Sequence, residues 1–529
     1  MEGFLVTETF IVLMVMVATL VAIAVRRIRL PYTVSLVLVG LFLSVQRFVA
    51  IDMELTPELI LAIFVPPLIF EAAFHLDFRL LRQNLAPILL LAVPGVILTT
   101  LLIGGLVSAG TGLLLSTATV FGALIAATDP VAVVQLARHL GVPRRLAVAI
   151  EGESLFNDGT AMVVFQIAVT AAISGVFNPL AGLMDFLVVA LGGMAVGGIL
   201  GWVVAQLVAR IDDRLIVTTL TTLLAYGAYL IAEHQFHVSG VLAVVVAGLL
   251  SGNVGLAKAA PTTKIMLFNL WDFLAFLANS LLFLMIGLSV NLPELWANLG
   301  PIAVAVVAVL LGRAAAVYGL SWLTHLGRSE PQVPPRWRHV LFWGGLRGAI
   351  SLALALSIPF TLPQRDTLLS MTFGVMLFTL LVQGSSIQFL LRRLGLTERP
   401  AHRLAQERKM GRLFTARAGL GRLQRLHGEG LLTDEMWSGL RDDYHQAQDQ
   451  LVEDINQLYA DHPELERELL LQARRDALQA ERGALGDALR RGLLSDRTYE
   501  ELSEDIDHRL EALDMIEANI HQGWTRTEV

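Results

Sequence analysis

Thirteen apolar stretches dominate the chain and restrict what it can fold into: 4–25, 32–49, 57–75, 86–109, 114–137, 146–174, 183–209, 215–233, 238–254, 265–290, 300–325, 339–359 and 367–391. A helix needs about 20 apolar residues to cross a hydrocarbon core. Lipid offers no partner to backbone N–H and C=O groups, so such runs must satisfy themselves as helices. The expected fold class is therefore an all-α polytopic membrane protein with about 13 transmembrane helices. The first stretch reads as a span and not as a cleaved leader, because Glu2 and Glu8 stand at its start in place of basic residues. Charged residues make up 16% of the chain, against about 25% in soluble domains. With no cysteine, disulfide frameworks, thiolate metal sites, iron–sulfur clusters and cysteine nucleophiles are excluded.

Basic residues sort the loops into two sets. One set carries Arg26, Arg27, Arg29, Arg79, Arg82, Arg138, Arg144, Arg145, Arg210, Arg214, Lys258, Lys264, Arg328, Arg336 and Arg338. The other carries only Arg47 and Arg365. Short cytoplasmic loops concentrate Lys and Arg, so the expected topology in the cell's inner membrane has the N-terminus outside, the C-terminus cytoplasmic and an odd number of spans. Charge also divides the chain lengthwise. Residues 1–391 hold 19 basic and 19 acidic residues, 392–427 hold 10 and 2, and 428–529 hold 10 and 25. These parts read as a transmembrane domain, a basic juxtamembrane collar suited to anionic lipid headgroups, and an acidic helical tail that makes nucleic acid a poor partner.

A charge in hydrocarbon costs at least a few kcal/mol, so intramembrane ionisable groups are candidates for function. They are Glu71, Asp129, Glu151, Glu153, Asp158, Asp272, Arg313 and Arg347. Glu151 lies near a span end, where it can reach water. Asp272 and Arg313 read as a candidate structural ion pair between two helices. The densest group is Glu153-Ser154-Leu155-Phe156-Asn157-Asp158 in the sixth stretch. On a helix, Ser154 and Asp158 share a face, and Glu153 and Asn157 form the adjoining stripe. The first stripe offers a carboxylate with a hydroxyl, ligands suited to a hard monovalent cation. The second offers a carboxylate with an amide to steady it.

Two stretches carry helix breakers. Ala126-Ala127-Thr128-Asp129-Pro130 ends in a proline that removes a donor and opens the preceding turn. Carbonyls freed at membrane depth are tolerated only where they line a cavity or coordinate something. Asp129 falls near the start of the second half-helix, where negative charge is favoured. Gly344-Gly345-Leu346-Arg347-Gly348 places three glycines around a cation that needs a carboxylate partner. Glu153 is the expected partner, with Asp129 and Glu151 as alternatives. The two breaks lie seven stretches apart and so run in opposite directions. That layout points to inverted repeats, stretches 1–6 and 8–13, with a site at the midplane. Pro66-Pro67 repeats the theme one turn before Glu71.

Thr128-Asp129-Pro130, Glu151-Gly-Glu-Ser-Leu-Phe-Asn-Asp158, Gly344-Gly-Leu-Arg-Gly348 and Phe70-Glu71-Ala72-Ala73-Phe74 together resemble the monovalent cation/proton antiporters of the NhaP and NHE type, cation:proton antiporter 1. The likeness runs over nearly all of 1–391, with the motifs in order. It implies an NhaA-like antiporter fold in which two interrupted helices cross, and a homodimer. It implies that Asp158 takes either a proton or a cation, that Asn157, Ser154, Thr128, Glu71 and Asp129 shape its site, and that Glu153 and Arg347 form the core ion pair. Sodium ranks first as substrate, with lithium beside it. An Asn before the essential Asp implies electroneutral exchange. No cofactor is expected, and no Walker A loop occurs.

The polar tail carries a repeat at an offset of 62. Gly430-Leu-Leu-Thr-Asp434 matches Gly492-Leu-Leu-Ser-Asp496, each followed by an aromatic, Trp437 or Tyr499, and a leucine, Leu440 or Leu502. The pattern predicts two helical hairpins, each new helix capped by Thr433 or Ser495. Leu502, Ile506, Leu510, Leu513 and Ile516 form one apolar stripe. Alternatives to sodium/proton exchange are a potassium/proton antiporter regulated by this tail and a channel-like or sensory membrane protein. An enzyme is the weakest reading, since neither HExxH nor a serine elbow occurs.

Overall fold

The computed structural model describes residues 2–25, 32–45, 60–211, 213–256, 261–322, 333–397 and 401–527. Arg26, Arg27, Arg29, Arg47, Lys258 and Arg328, which carry part of the topology signal, lie outside the described residues, as does the side chain of Arg138. The chain divides into two compact units, 1–398 and 399–529. Among the described residues both are helical, with no strand.

Among the described residues of the first unit seven helices are long and apolar enough to cross a membrane: Leu85–Thr111, Arg144–Ser174, Pro179–Val208, Arg214–Gln235, Thr263–Ser289, Leu299–Leu320 and Arg365–Arg393. The expectation of thirteen such spans is therefore corrected. Four other apolar helices are shorter, Tyr32–Val45, Ile60–His75, Leu115–Leu124 and Gly240–Gly255, and in Glu2–Val25 the side chains are described only from Val12. For two of the stretches the reason is that an apolar run need not be one helix. The fifth stretch folds as Leu115–Leu124 and Val131–His139 around an open segment, and the twelfth as Pro335–Trp343 and Ala349–Leu356 around another.

Side chains set the helix ends. Asn178 accepts from the amides of Leu180 and Ala181 ahead of Pro179–Val208, and Asp213 accepts from those of Leu215 and Ile216 ahead of Arg214–Leu230. Between spans, small residues let backbones meet, as lipid-embedded helices require. Helix Pro179–Val208 lies against Gly240–Leu250 through Gly193, Gly197 and Gly201. A Cβ at Gly197 would overlap the Ala243 carbonyl, whereas Gly105 on Pro94–Thr111 has open space around it. The opposite face of Pro179–Val208 exposes Leu180, Leu183, Leu187, Leu191, Ile199 and Trp202, a surface that suits lipid.

In the second unit Ala401–Gly428 packs on Asp434–Asp461, and Pro463–Arg490 packs on Asp496–Thr527. The two connecting turns share one geometry. Gly430 and Gly492 adopt φ of 74° and 70°, a left-handed conformation that glycine tolerates. Thr433 Oγ1 then accepts from the Met436 amide, and Ser495 Oγ from the Thr498 amide, each at 3.3 Å. Ile506 and Leu513 of the apolar stripe bury against Leu478, with Leu510 packed beside them; Leu502 is exposed, and the Ile516 side chain lies outside the described residues.

Gly197→Ala is expected to destabilise the protein by about 1–3 kcal/mol through overpacking. Gly105→Ala is expected to leave stability unchanged or raise it by up to ~1 kcal/mol. Thermal unfolding of the two variants in detergent checks the contrast, and equal behaviour would contradict close backbone contact at Gly197.

Candidate functional site

The two open segments meet. The Asp129 amide donates to the Leu346 carbonyl at 2.8 Å, joining one break to the other. Arg347 Nη1 donates to the carbonyls of Ala127 and Ala126 at 2.9 and 3.2 Å, and its own amide donates to Thr379 Oγ1 at 3.3 Å. Buried backbone groups must find partners, and here a buried guanidinium supplies them for the turn that Pro130 opens. Asp129 Oδ1 accepts from the Val131 amide at 3.0 Å, capping the half-helix Val131–His139. A Cβ on Gly348 would overlap the Asp129 carboxylate, so glycine is what lets the segments approach.

Helix Arg144–Ser174 runs alongside and holds Thr128 through three atoms. Asn157 Nδ2 donates to Thr128 Oγ1 at 2.6 Å, Asn157 Oδ1 accepts from the Thr128 amide at 3.3 Å, and Ser154 Oγ donates to the Thr128 carbonyl. Asn157 Nδ2 also donates to Glu153 Oε1 at 3.2 Å. The i, i+4 stripes read from the sequence thus fix the open segment to the helix.

Glu153 forms a bidentate pair with Arg313, Nη1 to Oε1 at 2.6 Å and Nη2 to Oε2 at 2.7 Å. Arg313 Nη2 and Nε further donate to the Leu341 carbonyl at 2.9 and 3.3 Å. Two pairings expected from the sequence are corrected by this. Glu153 does not pair with Arg347, whose guanidinium turns to the freed carbonyls and makes no contact ion pair among the described residues. Arg313 does not pair with Asp272, because its Nη1, Nη2 and Nε donate to Glu153 and Leu341. Asp272 instead has a side chain 60% exposed, with Oδ1 3.3 Å from His75 Nε2.

Asp158 is arranged differently. Its side chain makes no hydrogen bond or contact ion pair among the described residues, and it lines a cavity of about 70 Å³ together with Thr128, Asp129, Glu151, Ser154 and Gly348. A second cavity, of about 290 Å³, is lined by Glu71, Gln135, Glu151, Asp272 and Asn279. Pro130, Val131, Glu151 and Asn279 line both, so the two spaces adjoin. Thr128, Asp129, Ser154, Asn157 and Asp158 are therefore brought together, while Glu71 stands on the wall of the neighbouring space. His75, which contacts the Glu71 carbonyl at 2.9 Å and its carboxylate at 3.3 Å, was missed. The available signal was its i, i+4 spacing from an intramembrane acid. Arg313 was seen, but with the wrong partner.

The family model for "Sodium/hydrogen exchanger, transmembrane" matches residues 12–393. The Na(+)/H(+) antiporter ApNhaP of Aphanothece halophytica is 42% identical over 410 residues, 77% of each chain. The Na(+)/H(+) antiporter NhaS2 of Synechocystis is 35% identical over 511 residues, 95% of this chain and 93% of the relative. The solved sodium proton antiporter MjNhaP1 from Methanocaldococcus jannaschii superposes with a TM-score of 0.61 at 20% identity, covering 73% of this chain and 100% of that one. The chain thus shares the fold of that structure.

Because the Glu153–Arg313 pair is buried, removing one partner strands the other. Glu153→Ala and Arg313→Ala are each expected to destabilise by about 3–5 kcal/mol, and the combined Glu153→Leu, Arg313→Met variant by less than either. Thermal unfolding in detergent reads this; additive losses would contradict the pairing.

Proposed function

The chain belongs to the sodium/hydrogen exchanger family, and from that premise we propose that it is a secondary active antiporter exchanging sodium or lithium for protons across the membrane. The observation that carries the reading is the contrast between two carboxylates on one helix. Glu153 is bonded by Arg313 and Asn157, whereas Asp158 has no direct partner among the described residues and faces a cavity beside a broken helix. A carboxylate left in that state takes whichever positive species reaches it. A proton and a sodium ion compete for Asp158, and either one removes the charge that opposes movement through the membrane.

The neighbours have distinct tasks in this proposal. Thr128 and Ser154 supply neutral oxygens, the ligand type that a hard cation accepts. Asn157 holds Thr128 in place and leaves Asp158 as the exchanging group, which favours one proton for one cation and electroneutral transport. Asp129 fixes the start of its half-helix, and Glu71 stands on the route through the larger cavity. Arg347 closes the backbone of the crossing. Alternating access follows if the core moves only when Asp158 is neutralised.

The wider arrangement belongs to the same proposal. The inverted repeats, the homodimer, the outside N-terminus and the cytoplasmic C-terminus rest on the loop charges and the family resemblance. Boundaries at 391/392 and 427/428, with the basic collar near lipid headgroups, rest on the charge distribution.

Proteoliposomes loaded with a pH dye test the function. With an acid-inside gradient, external sodium or lithium is expected to drive alkalinisation of the lumen, unchanged when the membrane voltage is clamped. Asp158→Asn is expected to fall to the level of protein-free vesicles. A response to potassium with none to sodium would assign the alternative cation, and no cation response in folded parent protein would contradict antiport.

A further inference from the structure

We propose that the second unit carries a binding site for a transition-metal ion of the zinc(II) class, formed by His402, His462 and Glu464. None of the three takes part in the transport site. Imidazole nitrogen and carboxylate oxygen are ligands for zinc, cobalt and nickel, and two histidines with one glutamate make a three-protein-ligand set that leaves a coordination position open.

The geometry converges on one oxygen. His462 Nδ1 lies 3.1 Å from Glu464 Oε1, and His402 Nε2 lies 3.8 Å from the same atom. One donor atom from each residue falls within 4.8 Å of the other two. Ligands at about 2.0–2.2 Å from a tetrahedral ion stand roughly 3.4 Å apart, so small side-chain rotations bring all three onto one centre. The imidazole rings already stack, with centroids 4.2 Å apart and an interplanar angle of 27°. All three side chains are half-buried, which restricts them while leaving a route for an ion.

The backbone explains why these residues meet. Ala401–Gly428 and Asp434–Asp461 run antiparallel, as Gln406–Tyr459, Lys409–Asp454 and His427–Asp434 contacts show. The first turn of the former therefore comes level with residue 462, the single non-helical residue before Pro463–Arg490. His462 stands at the N-cap without a capping side-chain bond, and Glu464 lies in the first turn, where the helix amides favour negative charge. An ion here would tie the beginning of the unit to the joint between its two helical pairs.

Zinc chloride titrated into the full-length protein in detergent, followed by calorimetry, tests this. The site predicts saturable zinc binding that His402→Ala and His462→Ala each weaken at least tenfold, with His402→Gln as a variant closer in size. It also predicts that zinc slows amide deuterium exchange over residues 401–406 and 461–466. Circular dichroism identifies variants that retain the fold. His75→Gln separates the other cluster, at Glu71 and Asp272. Zinc binding lost with His75→Gln and unmoved by the tail substitutions would overturn the proposal, as would the absence of zinc binding in the parent.

Discussion

A helix broken inside a membrane releases carbonyls and amides that lipid cannot satisfy, and the transport core depends on how those groups are taken up. Here the two breaks satisfy each other. The Asp129 amide reaches the Leu346 carbonyl, and the neighbouring Arg347 reaches back to Ala126 and Ala127. A backbone bond and a charged side chain from one break thus complete the other. Glycine at 348 permits the approach, and Pro130 creates the need for it. Without this mutual closure, the Thr128 carbonyl and hydroxyl could not be presented beside Asp158 at membrane depth.

The second organising element is the way helix Arg144–Ser174 separates its acids. Glu153 is tied in two hydrogen bonds to Arg313, which is itself held by the Leu341 carbonyl, so its charge is committed to structure. Five residues later Asp158 is left to the cavity. Asn157 mediates between them by bonding both Glu153 and Thr128, which couples the rigid pair to the open segment. Fixed and exchangeable negative charge on neighbouring turns is the physical content of the proposed mechanism.

Much of this was legible in the sequence because it is local. Proline at 130, glycines at 344, 345 and 348, and the four-residue spacing of Ser154 with Asp158 constrain the chain within a turn or two. The tail hairpins were readable for the same reason, since Gly430 and Gly492 each end a helix ahead of a capping hydroxyl. Partner choice was not local. Arg313 and Arg347 carry the same group, and only the paths of their elements decide which one faces Glu153. Asp272 looked like a partner for Arg313, yet its Oδ1 lies 3.3 Å from His75 Nε2 instead. The number of full-length spans was overread because hydropathy registers apolar content and neither the length of the helix nor whether a run is one helix or two.

The central claim is that a proton and a cation exclude each other at Asp158. Linkage makes this measurable without transport. Sodium binding to the detergent-solubilised protein, followed by calorimetry in buffers of different ionisation enthalpy, gives the number of protons released per ion bound. The account predicts a release approaching one proton per sodium at the acid end of the binding range, and none in Asp158→Asn. Saturable sodium binding that releases no protons between about pH 6 and 9 would contradict competition at a single carboxylate.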